Sequence, residues 1–215
     1  PQVLSSAASD VYKRQMLFIG LEIGSISLYA LAGLNRGDKL SNEASLKYFL
    51  LGSLASCILI YGVSLVYVSF SVFSVYNFAL GLAYVGPDSV PLTTSIGILL
   101  IFIGLIFKIA AAPFQSWAPD VYQGSPTGYV GFMSSIAKAS SFIVIARLCL
   151  VSINFIIEDF NIFFLIVIIS SALIGSLFAS IQEDLKRLLA YSGVVQSGFI
   201  LSGIVSGING TSASM

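Results

Sequence analysis

A lysine and a proline stand close together in the most informative stretch of this sequence, GLIFKIAAAPFQSWAPDVYQGSPT at residues 104–127. Pro113 has no N–H, so a helix running through it would leave the carbonyl of Ile109 without its partner, and the proline ring would open that turn. The apolar character continues past Pro113 to Trp117, which places the interruption inside an apolar segment. Broken helices of this kind form ion sites in transporters, and the freed carbonyl attracts cations or water. Lys108 is therefore predicted to lie at such a site, one turn before the break; the alternative is a helix end with a snorkelling lysine.

The composition of the whole chain indicates a membrane protein. Of 215 residues, 57% are hydrophobic and only 9% are charged, whereas about 25% of residues are charged in a typical soluble domain. This composition excludes a soluble enzyme, a disordered tail and a nucleic-acid binder, and the net charge of zero provides no basic surface for phosphates. The chain has no His and only two Cys, Cys57 and Cys149, far apart. We therefore predict no metal site and no cofactor on this chain.

Apolar runs of about 20 residues, long enough to cross a bilayer, recur six times. Because hydrocarbon offers no partners to backbone polar groups, each run is expected to be helical, which predicts an all-α, polytopic transmembrane bundle. Residues 1–15 are polar and are interpreted as a non-native leader, residues 16–208 as the transmembrane domain, and residues 209–215 as a truncated end. The predicted spans are Met16–Leu34, Tyr48–Phe70, Leu92–Ala112, Tyr129–Ile153, Phe160–Ile181 and Leu188–Ile208.

Positive charges predict the orientation of the bundle. They are concentrated in the first and fifth loops, in Arg36, Lys39, Lys47, Lys186 and Arg187. Since positive residues favour the cytoplasmic or matrix side, the loops after the first, third and fifth helices are predicted to face that side.

Three charged residues are predicted to lie at mid-membrane, where a charge costs from about 2.5 to well over 10 kcal/mol and usually faces protein or water. They are Glu22, Lys108 and Lys138. Lys138 is nine residues into its span, roughly 13 Å along the helix axis, among serines that can bind water or admit a neighbouring helix. For Lys138 the alternative is a lysine held by a backbone carbonyl to fix packing.

Glu22 stands between Gly20 and Gly24, a spacing that favours close approach of another helix beside the carboxylate. Burial disfavours the charged forms of both carboxylates and amines, whereas pairing favours them. A Glu and a Lys that pair and separate would therefore take up and release protons. A purely structural ion pair would use the same residues.

Five sequence segments of the chain resemble a known protein family. They are LFIGLEIGSISLYAL, EASLKYFLLG, GLIFKIAAAPFQSWAPDVYQGSPT, SSIAKASSF and EDLKRLLAYSGVVQSGFILSG. In this order they resemble the antiporter-like membrane subunits of respiratory complex I, and most of all the family of NADH dehydrogenase subunit 2, called subunit N in bacteria. The resemblance covers nearly all of the chain after Gln15 and implies a portion of a longer inverted-repeat fold with a discontinuous helix near Pro113.

The resemblance also implies a function and its residues. Glu22, Lys47, Lys108 and Lys138 match the family's proton pathway, with Lys47 at the start of its helix. The chain would be a proton-translocating subunit of NADH:ubiquinone oxidoreductase, embedded in lipid beside other membrane subunits. NADH, FMN, iron–sulfur clusters and ubiquinone would be bound by partner subunits. Gln115 departs from the family, in which many members carry His at that position.

Three other functions stay open from the sequence. A multi-subunit cation/proton antiporter shares the broken-helix motif, and so does the ferredoxin-linked photosynthetic relative of complex I. The chain could also serve only as a scaffold for other subunits. The predicted location is the mitochondrial inner membrane, with a bacterial plasma membrane or a thylakoid as the alternatives.

Overall fold

The computed structural model describes residues 19–20, 22–70, 80–82, 84–85, 90–152 and 157–212, and all regular secondary structure in these ranges is helical. In chain order the helices are α1 (Glu22–Ala32), α2 (Lys39–Phe70), α3 (Leu92–Lys108), α4 (Trp117–Gly124), α5 (Thr127–Phe132), α6 (Lys138–Ser152), α7 (Ile157–Ser180) and α8 (Leu185–Ser212). A π-helical turn at Met133–Ala137 joins α5 and α6 into one span, Thr127–Cys149.

The predicted all-α membrane bundle is confirmed, although several predicted helix ends are wrong. Four helices of the described chain are long and apolar enough to cross a membrane, and α1 and α3 are shorter apolar helices. α2 begins at Lys39, nine residues before the predicted start at Tyr48, because a polar and helix-compatible stretch continues the helix outward. α3 ends at Lys108 instead of Ala112, since the chain turns before it reaches Pro113. Part of the first predicted span lies outside the described residues.

Glycines bring α2 and α3 into close contact. A Cβ added to Gly62 would lie 2.6 Å from the carbonyl oxygen of Gly97, and one added to Gly104 would lie 2.7 Å from Leu59 Cβ. The predicted close approach at Gly20 and Gly24 is not found, because no atom of the described chain lies within 4 Å of a Cβ built at either position. Glycines therefore permit the close contact of α2 with α3, as they do at other helix contacts of the described chain.

Two buried clusters hold the helices together. The first is aliphatic and phenyl-rich, and it joins α2, α3, α6, α7 and α8 around Phe102, Ile145 and Phe164. The second is aromatic, and it fixes α4 against α1 and α2. In it, the ring of Tyr48 stacks on Trp117 at a centroid distance of 4.8 Å, and Tyr29 meets Tyr48 edge-on at 4.7 Å.

The outer surface is apolar as well. On α7, exposed large side chains include Ile162, Leu165, Ile166, Ile169, Leu173 and Leu177. A soluble monomer rarely exposes so continuous an apolar surface. This surface fits hydrocarbon or neighbouring membrane subunits.

Candidate functional site

The first ion pair forms where α3 breaks. The Lys108 amine lies 3.0 Å from Glu22 Oε1, and the two side chains are 11% and 21% exposed. The same amine donates to Ser25 Oγ at 2.9 Å, and the Ser56 hydroxyl donates to Glu22 Oε1 at 2.6 Å. Three helices thus converge on one carboxylate and one amine. The sequence suggested a Glu–Lys pair without identifying the lysine, and the structure places Lys108 beside Glu22.

The break itself is a capped helix end. The Ala110 N–H donates to the carbonyl of Phe107, and the Ala111 N–H donates to the carbonyl of Ile106. Ala110 has φ 56°, the left-handed conformation that closes a Schellman motif. Lys108 is therefore the last residue of its helix, not a residue one turn before the break as predicted.

Serines from α7 and α8 satisfy the backbone that the break leaves unpaired. The Ser197 hydroxyl lies 3.0 Å from the Ile109 carbonyl oxygen, the group that the sequence predicted would lose its helical partner. The Ala112 N–H donates to Ser171 Oγ at 2.9 Å. Irregular backbone at membrane depth is tolerated where protein covers it, and residues 109–112 are fully buried here.

Lys138 occupies a separate position directly after the π-helical turn. It is 7% exposed, and its amine donates to the carbonyl of Gly193 on α8 at 3.1 Å. Within the described residues no carboxylate lies within 4.0 Å of this amine. A Cβ at position 193 would lie 3.1 Å from the amine, so the absence of a side chain there lets Lys138 reach the backbone. The nearby serines Ser134, Ser135, Ser140 and Ser141 donate to carbonyls of their own helical turns.

Lys47 belongs to a polar network at one end of the bundle. It lies about two turns inside α2 and not at its start, because α2 begins earlier than predicted. Its amine lies 2.7 Å from Glu43 Oε1 and 2.8 Å from Asp120 Oδ2, and Arg187 Nη1 lies 2.9 Å from the other Asp120 oxygen. The network ties α2, α4 and α8 together, which places the first, third and fifth connections at the same end, as the charge pattern predicted.

Sequence reasoning missed several members of these sites. Asp120 lies in the first turn of α4, just past the broken helix. A carboxylate at this position was a weak signal of a polar site. Arg187 was interpreted only as an orientation signal. Ser56 and Ser197 look like ordinary small helix residues, and only the packing of distant helices brings them to Glu22 and Ile109.

Gln115 lies in the non-helical segment between α3 and α4. Its Oε1 is buried and has no hydrogen-bond partner within the described residues. A buried carbonyl oxygen of this kind is costly to leave unpaired, so the position favours a bound water or another polar group.

The sequence that forms this Glu–Lys pair and the broken helix matches the model of a known protein family. The family model described as NADH:quinone oxidoreductase/Mrp antiporter, TM, matches residues 13–215. The chain belongs to this family. The resemblance found in the five sequence strings is thereby confirmed.

Individual relatives agree with this assignment. NADH-quinone oxidoreductase subunit N of Trichlorobacter lovleyi is 42% identical over 95% of this chain and 41% of its own length. NAD(P)H-quinone oxidoreductase subunit 2 of Synechocystis sp. is 39% identical over 98% of this chain and 40% of its own length. The structure of respiratory complex I from Thermus thermophilus with bound aureothin contains a similar chain, with a TM-score of 0.73, 34% identity, and coverage of 89% of this chain and 40% of that one. The chain thus spans about two fifths of the length of the relatives it matches.

Proposed function

We propose that this chain is part of a proton-translocating membrane subunit of an NADH:quinone oxidoreductase. NADH oxidation by quinone on partner subunits would drive protons through Glu22, Lys47, Lys108 and Lys138. The observation that carries this proposal is the Glu22–Lys108 pair, held at 3.0 Å beside the break in α3. Sequence relatives named as oxidoreductase subunits support it.

The pair has the chemistry for proton transfer. A proton moving along the Lys108–Glu22 hydrogen bond converts ammonium and carboxylate into amine and carboxylic acid, so no net charge is created. Both forms are accommodated, because Ser25 and Ser56 have hydroxyls that donate or accept. A change in the distance between the two groups, or the arrival of another charge, would shift the proton from one to the other.

The remaining two lysines extend the pathway in this proposal. Lys138 holds a proton in the bundle interior against the Gly193 carbonyl. Lys47 lies in the polar network with Asp120 at one end of the bundle and would exchange protons with the aqueous side. Partner subunits would bind NADH, FMN, iron–sulfur clusters and ubiquinone, and other membrane subunits and lipid would cover the apolar surface.

The test is the substitution Lys108→Met in the full-length subunit of the assembled complex. Methionine keeps the apolar length of the side chain and removes the proton carrier. We expect a lower ratio of protons translocated per NADH in membrane vesicles. Lys186→Met is the matched control, because the Lys186 amine donates to the Ser125 carbonyl outside the Glu22–Lys108 site. An assembled Lys108→Met complex with an unchanged ratio contradicts the proposal, and it is the result expected of a mere scaffold.

The second candidate is a subunit of a cation/proton antiporter. The description of the matching family names Mrp antiporters beside NADH:quinone oxidoreductase, which supports this alternative. Sodium-dependent proton transport without NADH-linked activity would select it. Activity driven by reduced ferredoxin would instead identify the chain as part of the photosynthetic relative.

The membrane in which the chain resides is also a proposal. The chain is a multi-pass membrane protein, and the relatives named above are bacterial, one of them cyanobacterial. They support a bacterial plasma membrane or a thylakoid more directly than the mitochondrial inner membrane predicted from the sequence. Fractionation of source membranes with an antibody to residues 35–47 distinguishes these locations.

A further inference from the structure

The buried hydroxyl of Ser197 lies between the Lys108 site and the Lys138 site. Ser197 of α8 is 1% exposed. Its Oγ lies 3.0 Å from the Ile109 carbonyl oxygen and 2.8 Å from the Gly193 carbonyl oxygen. Ile109 directly follows Lys108 at the end of α3, and the Gly193 carbonyl is the group that accepts the Lys138 hydrogen bond. The hydroxyl therefore reaches the Lys108 site through the Ile109 carbonyl and the Lys138 site through the Gly193 carbonyl.

The hydroxyl has one proton, so it donates fully to only one of these two carbonyls at a time. Besides the backbone N–H of its own helix, the Gly193 carbonyl receives a charged donor, the Lys138 amine at 3.1 Å. A charged donor forms a hydrogen bond roughly twice as strong as a neutral one. While Lys138 is protonated, the Gly193 carbonyl is well satisfied and the Ser197 proton is available to Ile109. When Lys138 loses its proton, its hydrogen bond to the Gly193 carbonyl weakens, and that carbonyl competes more strongly for the Ser197 proton.

We propose that Ser197 is a positioning residue that couples the charge of Lys138 to the broken end of α3 beside Lys108. It switches its hydroxyl proton between the carbonyls of Gly193 and Ile109. Loss of charge at Lys138 then removes the donor from Ile109 and loosens the segment that holds Lys108 in place. This inference deepens the proposed proton pathway and rests on it, since it supplies a link between two lysines that do not contact each other.

Ser171 provides a matched comparison at the same break. It accepts from the Ala112 N–H at 2.9 Å and donates to the Val167 carbonyl on its own helix at 2.6 Å. Like Ser197 it is fully buried and supports the irregular backbone. Neither of these contacts reaches Lys138, so the role of Ser171 is purely structural in this proposal.

The experiment measures amide hydrogen exchange of residues 109–116 in the full-length subunit within the assembled complex. Lys138→Met removes the charged donor, so the Ser197 proton moves to Gly193 and Ile109 loses its partner. We expect exchange in this segment to rise about fivefold, the change that corresponds to one neutral hydrogen bond. In a Ser197→Ala background, Ile109 has no donor in either case, and Lys138→Met should cause no further rise. In a Ser171→Ala background, the response to Lys138→Met should persist.

Two results overturn the inference: no change in exchange on Lys138→Met, or an equal change with and without the Ser197 hydroxyl. If Ser197→Ala does not assemble, Ser197→Thr retains a hydroxyl and should retain the response, and its absence there would also overturn the inference. The proton-to-NADH ratio of the same samples tests the proposed function separately. A lower proton-to-NADH ratio with unchanged amide exchange contradicts the inference alone. Faster amide exchange with an unchanged ratio supports the inference and contradicts the proposed function.

Discussion

Replacing Glu22 with glutamine tests the central ion pair most directly. At 3.0 Å and an effective dielectric constant of about 20, the attraction between the two charges is about 5.5 kcal/mol. Glutamine retains an oxygen that accepts from the Lys108 ammonium, and a hydrogen bond to a charged group retains roughly 1.5–3 kcal/mol. The net loss is therefore about 3 kcal/mol of attraction between α1 and α3. The amide also takes up no proton, so the transfer from Lys108 to position 22 is abolished.

Two assays follow from this difference. In vesicles containing the assembled complex, Glu22→Gln should lower the number of protons translocated per NADH. In a double-mutant cycle with Lys108→Met, unfolding of the full-length subunit in detergent should show a coupling free energy of about 3 kcal/mol. Glu43→Gln is the control, because Glu43 also pairs with a lysine at 2.7 Å but is more than half exposed. Full pumping by Glu22→Gln, or a coupling no larger than that of the exposed pair, refutes the reasoning.

Two further predictions concern the helix contacts. Asp120→Asn removes two partly exposed ion pairs, so we expect the full-length subunit to lose about 1–2 kcal/mol of unfolding free energy. Glu183→Gln is the control: it removes an exposed carboxylate and should leave the unfolding midpoint unchanged within error. Gly62→Ala places a Cβ 2.6 Å from the Gly97 carbonyl oxygen and should cost roughly 1–3 kcal/mol by overpacking. Gly203→Ala meets no atom of the described chain within 4 Å and should be neutral or stabilising; equal effects at the two glycines would contradict the α2–α3 packing.

The sequence predicted those features that depend on a local pattern. Apolar length identified the helices, and the rarity of charge in hydrocarbon identified Glu22, Lys108 and Lys138. The break near Pro113 followed from the missing N–H. Chemistry suggested that a Glu and a Lys would pair but did not identify the lysine, and the structure brings the side chains of Glu22 and Lys108 together.

Features that depend on long-range packing were not predictable. Nothing in the neighbourhood of Lys47 indicates that Asp120, 73 positions later, is its partner. The partner of the Ile109 carbonyl is 88 positions away, on a helix whose serine resembles many others in this chain. The glycine contacts were assigned to Gly20 and Gly24 because both fit a spacing rule, but spacing alone does not show which helix face has a neighbour.

The Schellman motif at the end of α3 rests on a residue that does not favour its conformation. Pro113 prevents a continuous helix, and the chain turns aside at Ala110, three positions earlier. Since alanine has no intrinsic preference for the left-handed region, the buried surroundings of residues 109–112 must hold it there. The terminal position of Lys108 is therefore maintained by the packing of neighbouring helices as well as by the local sequence.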